Sequence, residues 1–178
     1  MDTMDQLKER IRYFNREILN PFTLSFAGRP YSPYAIVQHV GRKSGREYHT
    51  PVVAMSTAEG FIIPLPYGAH TDWCRNLLAA GEGVIASQGH AYRVCEPEVI
   101  GTSEGLAAFP VWMQALLEWA ETEKFLWVKQ CSDTPEDRAV YQHIIADYPA
   151  DRAIKVAIIA VLLVIAVARL MRRLKRRG

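Results

Sequence analysis

Hydrophobic and polar positions change period several times along this chain, and each change marks an element. Leu7, Ile11, Phe14 and Ile18 recur at helical spacing while Lys8, Arg10, Arg12 and Arg16 fall mostly elsewhere, which predicts an amphipathic helix over residues 4–19. Asn20-Pro21 ends it, because the residue before a proline avoids the α region. Residues 22–33, with Gly28, Pro30 and Pro33, read as an irregular lead-in. Short runs rich in β-branched and aromatic residues then predict strands over about 34–42, 47–57, 60–66, 83–88 and 91–100. Lys43-Ser44-Gly45-Arg46, Ala58-Glu59-Gly60 and Gln88-Gly89-His90 supply the turns between them. Pro51 cannot donate to a ladder, so it is expected at a bulge or on an edge.

Helical spacing returns three times. Thr71 or Asp72 can cap a short helix whose apolar side is Leu77, Leu78 and Ala80 and which Gly81 stops. Residues 103–129 are mainly helical in pattern with a break near Pro110, and their aromatic stripe of Trp112, Leu116, Trp119, Phe125 and Trp127 is expected in the core. Thr134-Pro135-Glu136-Asp137 opens a last helix that carries Val140, Ile144 and Ile145 inward and ends near Tyr148-Pro149. Short strands at this spacing with few helices among them favour an α+β protein built on an antiparallel barrel over a parallel sheet.

The C-terminus has another character. Thirteen consecutive apolar residues run from Val156 to Ala168, and Ala153–Met171 makes nineteen if Lys155 and Arg169 snorkel. At about 1.5 Å per residue that span reaches roughly 28 Å, close to the hydrocarbon thickness of a bilayer. The run has no polar face, so a hydrophobic membrane-anchor helix over 153–171 is expected, followed by a basic tail at 172–178 and preceded by a body of residues 1–150.

Charge and cysteines refine that picture. Removing Arg169, Arg172, Arg173, Lys175, Arg176 and Arg177 from the 21 Lys and Arg leaves 15 against 19 Asp and Glu, a body near −4 with no sign of nucleic-acid binding. The basic cluster would by the positive-inside tendency lie in the cytoplasm, which for a spanning helix would place the body outside; a tail lying partly in the inner leaflet keeps both in the cytosol, the orientation expected here. Cys74, Cys95 and Cys131 have no metal spacing, and their odd number argues against a disulfide framework and for a reducing compartment. His39, His49, His70, His90 and His143 show no metal-ligand spacing either, so no metal site is expected.

The candidate chemistry lies between the first two strands. Arg42, Lys43 and Arg46 flank turn amides in Gly41-Arg-Lys-Ser-Gly-Arg-Glu-Tyr-His-Thr-Pro51, a donor cluster suited to a phosphate. A second stretch, Tyr67-Gly-Ala-His-Thr-Asp-Trp-Cys-Arg-Asn-Leu-Leu-Ala-Ala-Gly81, is a loop feeding a helix. The two together, with Phe14-Asn15-Arg16, Asn20-Pro21 and Ala27-Gly28-Arg29 ahead of them, closely resemble the deazaflavin-dependent nitroreductase family over roughly residues 12–100.

That resemblance implies a split antiparallel β-barrel with flanking helices and a site for coenzyme F420, whose reduced ring gives a hydride to an electrophile. It implies that Arg42, Lys43, Ser44, Gly45 and Arg46 hold the phosphate and acidic tail. Thr50, Pro51 and Val52 would line the ring through their backbone, and Tyr67, Gly68, Trp73 and Asn76 would form the other wall. No residue is singled out as catalytic. The chain departs from the family at His49, where an arginine is common, and at Tyr67-Gly68-Ala69-His70, where a smaller glycine-rich loop is usual. Both make FMN the nearest substitute cofactor. The expected protein is a membrane-held oxidoreductase with its body in the cytoplasm, acting on a lipophilic quinone or nitroaromatic, and a homodimer is a candidate assembly. The alternative is an FMN- or haem/tetrapyrrole-binding protein of the same fold without turnover.

Overall fold

The structure, a computed structural model, describes residues 23–132 and 136–149. Residues 27–146 form one compact unit, and residues 23–26 and 147–149 belong to another. The amphipathic helix expected at 4–19, the anchor at 153–171 and the basic tail lie outside the described residues. No helix among the described residues is long and apolar enough to cross a membrane.

The sheet has seven strands, all neighbours antiparallel, in the order β2-β1-β5-β6-β7-β4-β3. β1 (Tyr34–Val40) pairs with β2 (Glu47–Val53) and with β5 (Glu82–Ser87); β6 (His90–Gly101) joins β5 to β7 (Lys124–Ser132), which joins β4 (Gly60–Pro64) and β3 (Met55–Ser56). Helix α1 (Asp72–Ala80) lies between β4 and β5, α2 (Thr102–Ala107) and α3 (Val111–Trp119) between β6 and β7, and α4 (Glu136–Ala146) after β7. The architecture is therefore α+β with one antiparallel sheet, as the short-strand pattern required.

The sheet curls around one interior. Ala35 and Val37 of β1, Val52 of β2, Phe61 and Ile63 of β4, Ile85 of β5, Val94 of β6 and Leu126 and Val128 of β7 share one core, so strands from both ends of the sheet face the same interior. Each of these buried side chains larger than alanine contributes about 1.5–3 kcal/mol. Cys74 and Leu77 of α1 cap that interior. On the other side of the sheet Ile62, Ile100 and Phe125 meet Phe109, with Leu106, Met113 and Leu117 of α2 and α3 packed over them. A bulge between Cys95 and Glu98 shifts the register of β6, so Val94 before it and Val99 after it, five residues apart, both point inward.

Three sequence expectations are corrected. Residues 124–132 are not helical; they form β7, which carries the ladders of both β6 and β4. Phe125-Leu126-Trp127-Val128 is a short apolar run, whose period does not separate a buried strand from a helix. The aromatic stripe consequently divides, with Phe125 in the core while Trp112, Leu116 and Trp119 are 67%, 53% and 82% exposed. Only one face of the nine-residue α3 can lie on the sheet. Finally, Cys95 and Cys131 form a disulfide between β6 and β7, with Cα atoms 6.0 Å apart, leaving Cys74 as the free cysteine. An odd cysteine count permits one bridge and one buried thiol, so the ground for expecting a reducing compartment is removed. Pro51 meets its expectation, since β2 is the terminal strand of the sheet.

Two outcomes test this packing. Alkylation of the denatured, unreduced chain should label one of its three cysteines, and prior reduction should expose all three; mass spectrometry reads the count. Gly60 sits where a Cβ would run into the Val128 carbonyl across the β4–β7 ladder, so Gly60→Ala should cost about 2–3 kcal/mol in chemical denaturation.

Candidate functional site

The β1–β2 turn is shaped by its own backbone. Gly41 donates its N–H to the Arg46 carbonyl at 2.8 Å, Gly45 donates to the Gly41 carbonyl at 2.8 Å, and Gly45 has φ +64, a conformation that suits glycine. The result is an exposed loop presenting Lys43, Ser44 and Arg46 to solvent. No described ion pair involves Lys43 or Arg46.

Arg42 is committed elsewhere. Its Nη2 pairs with the Asp72 carboxylate at 2.9 Å, and its Nη1 donates to Asn76 Oδ1 at 2.7 Å and to the Asp72 carbonyl at 3.3 Å. Its backbone N–H also donates to Asn76 Oδ1, at 3.2 Å. Arg42 therefore ties the hairpin to α1 instead of standing free for an anion. The Arg42 hydrogen bond holds the Asp72 carboxyl below its ordinary range, with Arg75 and Lys43 adding their fields. Asp72 is too exposed for the pair to add much stability.

Asn76 extends the network inward. Its Nδ2 lies 3.2 Å from His39 Nδ1, and His39 Nε2 lies 3.1 Å from Thr50 Oγ1. Tyr48 stacks on the His39 ring at 5.8 Å between centroids, and its hydroxyl meets Ser44 Oγ at 3.2 Å. Ser44 Oγ in turn accepts the Arg46 N–H at 3.3 Å. These contacts make a circuit from the turn through Tyr48, His39, Asn76 and Arg42 back to the turn.

Strand geometry explains why these residues meet. Register pairs His39 with Tyr48 and Val37 with Thr50, so His39, Tyr48 and Thr50 share the face that carries Val37 and Val52 into the interior. His49 and Pro51 point to the opposite face, where His49 Nε2 is 3.3 Å from the Glu47 carboxylate. Thr50, Pro51 and Val52 thus cannot present their side chains together, and the Val52 side chain is core. Asn76 is buried on α1, and Trp73, one turn earlier, is half-buried against the interior. Tyr67 is exposed on the turn between β4 and α1, where Gly68, at φ +75, donates to the Leu65 carbonyl at 2.8 Å. Sequence reasoning singled out Arg42, Thr50 and Asn76 but passed over His39, Tyr48 and Asp72. The available signal was a histidine in phase with Ala35 and Val37 on an inward-facing strand side.

Burial pushes the His39 imidazole down from 6.5 to about 4, and His49 adds to the effect. The unfolded chain then binds a proton at this ring between pH 6.5 and about 4 and the fold does not. Its contribution is complete above pH 6.5 and is lost as pH falls toward 4. The Cys74 thiol is pushed up to about 11 by burial, which leaves it protonated and unreactive. No group of three or more potential metal ligands occurs among the described residues.

No family model and no curated protein matches the chain. Among the solved structures similar to it are the following two. The heme storage protein HutZ from Vibrio cholerae is 10% identical over 71% of this chain and 92% of its own, with a TM-score of 0.44. An F420 reductase is 11% identical over 61% of this chain and 92% of its own, with a TM-score of 0.38.

Replacing Asn76 by Asp puts a carboxylate oxygen against His39 Nδ1 where a donor now stands. The imidazolium gains both a partner and an opposite charge. Asn76→Asp should therefore raise the His39 pKa from about 4 past its ordinary value, read from the pH titration of its ring signals by NMR.

Proposed function

We propose that this chain is a split-barrel oxidoreductase that binds coenzyme F420 between the β1–β2 turn and α1, and uses it to reduce a lipophilic quinone or nitroaromatic. The observation that carries this reading is the division of labour among the turn cations. Arg42 fastens the turn to α1 while Lys43 and Arg46 stand exposed beside turn amides, a donor set that fits a phosphate and carboxylates. The motif resemblance over residues 12–100 supports the choice of a deazaflavin. When bound, that cofactor supplies a hydride donor, and the fold needs no nucleophile of its own.

The residues have separate tasks in this reading. Lys43, Arg46 and the turn N–H groups bind the anionic tail. Thr50 and the Trp73 side of α1 stand where a ring would lie, and the half-buried indole offers an apolar wall that limits water. Arg42, Asn76 and His39 hold the two sides in register, which is an orienting role. We place residues 153–171 in a membrane, where the protein would meet a membrane-dissolved acceptor at high local concentration.

Fluorescence titration of the full-length chain with oxidised F420, FMN and haem in parallel tests the reading. Saturable micromolar binding of F420 is expected, weakened by salt because its anion contacts are exposed. Lys43→Ala with Arg46→Ala should raise the dissociation constant about tenfold or more, corresponding to about 1.4 kcal/mol, without lowering the melting temperature. Preference for FMN or haem would replace the cofactor assignment, and no reduction of menadione or nitroaromatics by the F420-loaded protein would remove the acceptor assignment.

A further inference from the structure

Donor and acceptor accounting through the Asn76 amide fixes the direction of every hydrogen bond up to Thr50. Asn76 Oδ1 receives the Arg42 backbone N–H at 3.2 Å and the Arg42 Nη1 at 2.7 Å. Both are donors that cannot accept, so the amide has one permitted orientation. Its NH2 then faces His39 Nδ1 at 3.2 Å as a donor, and Nδ1 must be the unprotonated, accepting nitrogen. A neutral imidazole with a bare Nδ1 carries its hydrogen on Nε2, which donates to Thr50 Oγ1 at 3.1 Å. The Thr50 hydroxyl accepts that hydrogen, and its own hydrogen has to point elsewhere. No described residue takes it.

We infer that Thr50 is a dedicated hydrogen-bond donor to the bound ring, set in that role by His39, and that the site selects a ligand presenting a carbonyl oxygen or an unprotonated ring nitrogen at Thr50. The inference rests on the cofactor reading above and adds a residue task that the reading left to backbone. Thr50 is half-buried on the edge strand β2, two residues from Tyr48 and on the same inward strand face as Tyr48 and His39. A ligand with an N–H at that position could reach only the remaining Oγ1 lone pair and would leave the Thr50 hydroxyl hydrogen without a partner, which costs the desolvation of that group. His39 is a positioning residue, since it acts on the ligand only through Thr50. Protonating it would place Nδ1–H against the Asn76 NH2, so the network itself rejects the imidazolium, in accord with its depressed pKa.

Two measurements test this on the full-length protein. A long-range proton–nitrogen NMR correlation of the ligand-free chain should show His39 as the Nε2–H tautomer. An Nδ1–H tautomer would make Thr50 the donor to His39 and overturn the inference, whatever the protein binds. Titration with oxidised F420 as the probe should then give Thr50→Ser near the wild-type dissociation constant and Thr50→Val about tenfold weaker. His39→Gln, which can present an amide N–H toward Thr50, should stay near wild type, while His39→Leu weakens binding severalfold. Equal affinity of Thr50→Val and Thr50→Ser would overturn the donor role even with the expected tautomer. If the wild-type chain binds no F420, the cofactor reading falls and takes the ligand half with it, and the tautomer alone decides whether the network was correctly traced.

Discussion

A buried carboxamide is the constraint on which the site depends. Asn76 is 6% exposed, and leaving its oxygen or its amide hydrogens without partners would cost about 1–3 kcal/mol. Its position on α1 obliges something to come to each end of the amide. Arg42 comes from the β1–β2 turn and His39 from the inward face of β1 near that turn, so one side chain ties together a helix, a turn and a strand. The geometry of the turn follows, because an arginine held by both Asp72 and Asn76 fixes where Lys43 and Arg46 emerge.

That constraint operates only because the sheet curls. With β2 and β4 facing one interior, α1 covers it through Leu77 and Cys74, and this packing brings Asn76 against β1. The β6 bulge keeps Val94 and Val99 on the same inward face while β6 remains paired to β7, and the Cys95–Cys131 bridge joins those two strands. The polar circuit and the apolar core are thus successive layers of one inward-facing surface. The inward side of β1 runs from Ala35 and Val37, which need no partner, to His39, which needs two.

Charge has a different meaning at three neighbouring positions. Arg42, Lys43 and Arg46 look equivalent as a sequence cluster, yet Arg42 carries structural hydrogen bonds while the other two are solvated. A guanidinium presents several donors in a fixed fork, which lets Arg42 meet a carboxylate, an amide oxygen and a backbone carbonyl at once. Lysine at that position would supply the charge without the fork. In the proposed reading this distinction separates loss of ligand contacts, expected on altering Lys43 or Arg46, from loss of the turn's shape, expected on altering Arg42.

Much of the local structure was legible in the chain itself. The Gly45 turn, the Gly81 stop at φ +74, the edge position of Pro51 and the strand periods of β1, β2, β4, β5 and β6 follow from neighbouring residues, because backbone propensity and side-chain period are short-range properties. Arg42, Thr50 and Asn76 were also singled out through their motifs, and the fold joins them in one hydrogen-bonded network. The tertiary structure decided the rest. Whether Phe125–Val128 is strand or helix depends on β6 and β4 waiting on either side, and whether two of three cysteines pair depends on which strands become neighbours. Arg42 and Asn76 are 34 residues apart, and His39 and Asn76 are 37 apart. Direction of hydrogen bonding passes between them only when the folded chain sets donor against acceptor, so the tautomer of His39 and the task of Thr50 are written in no local stretch.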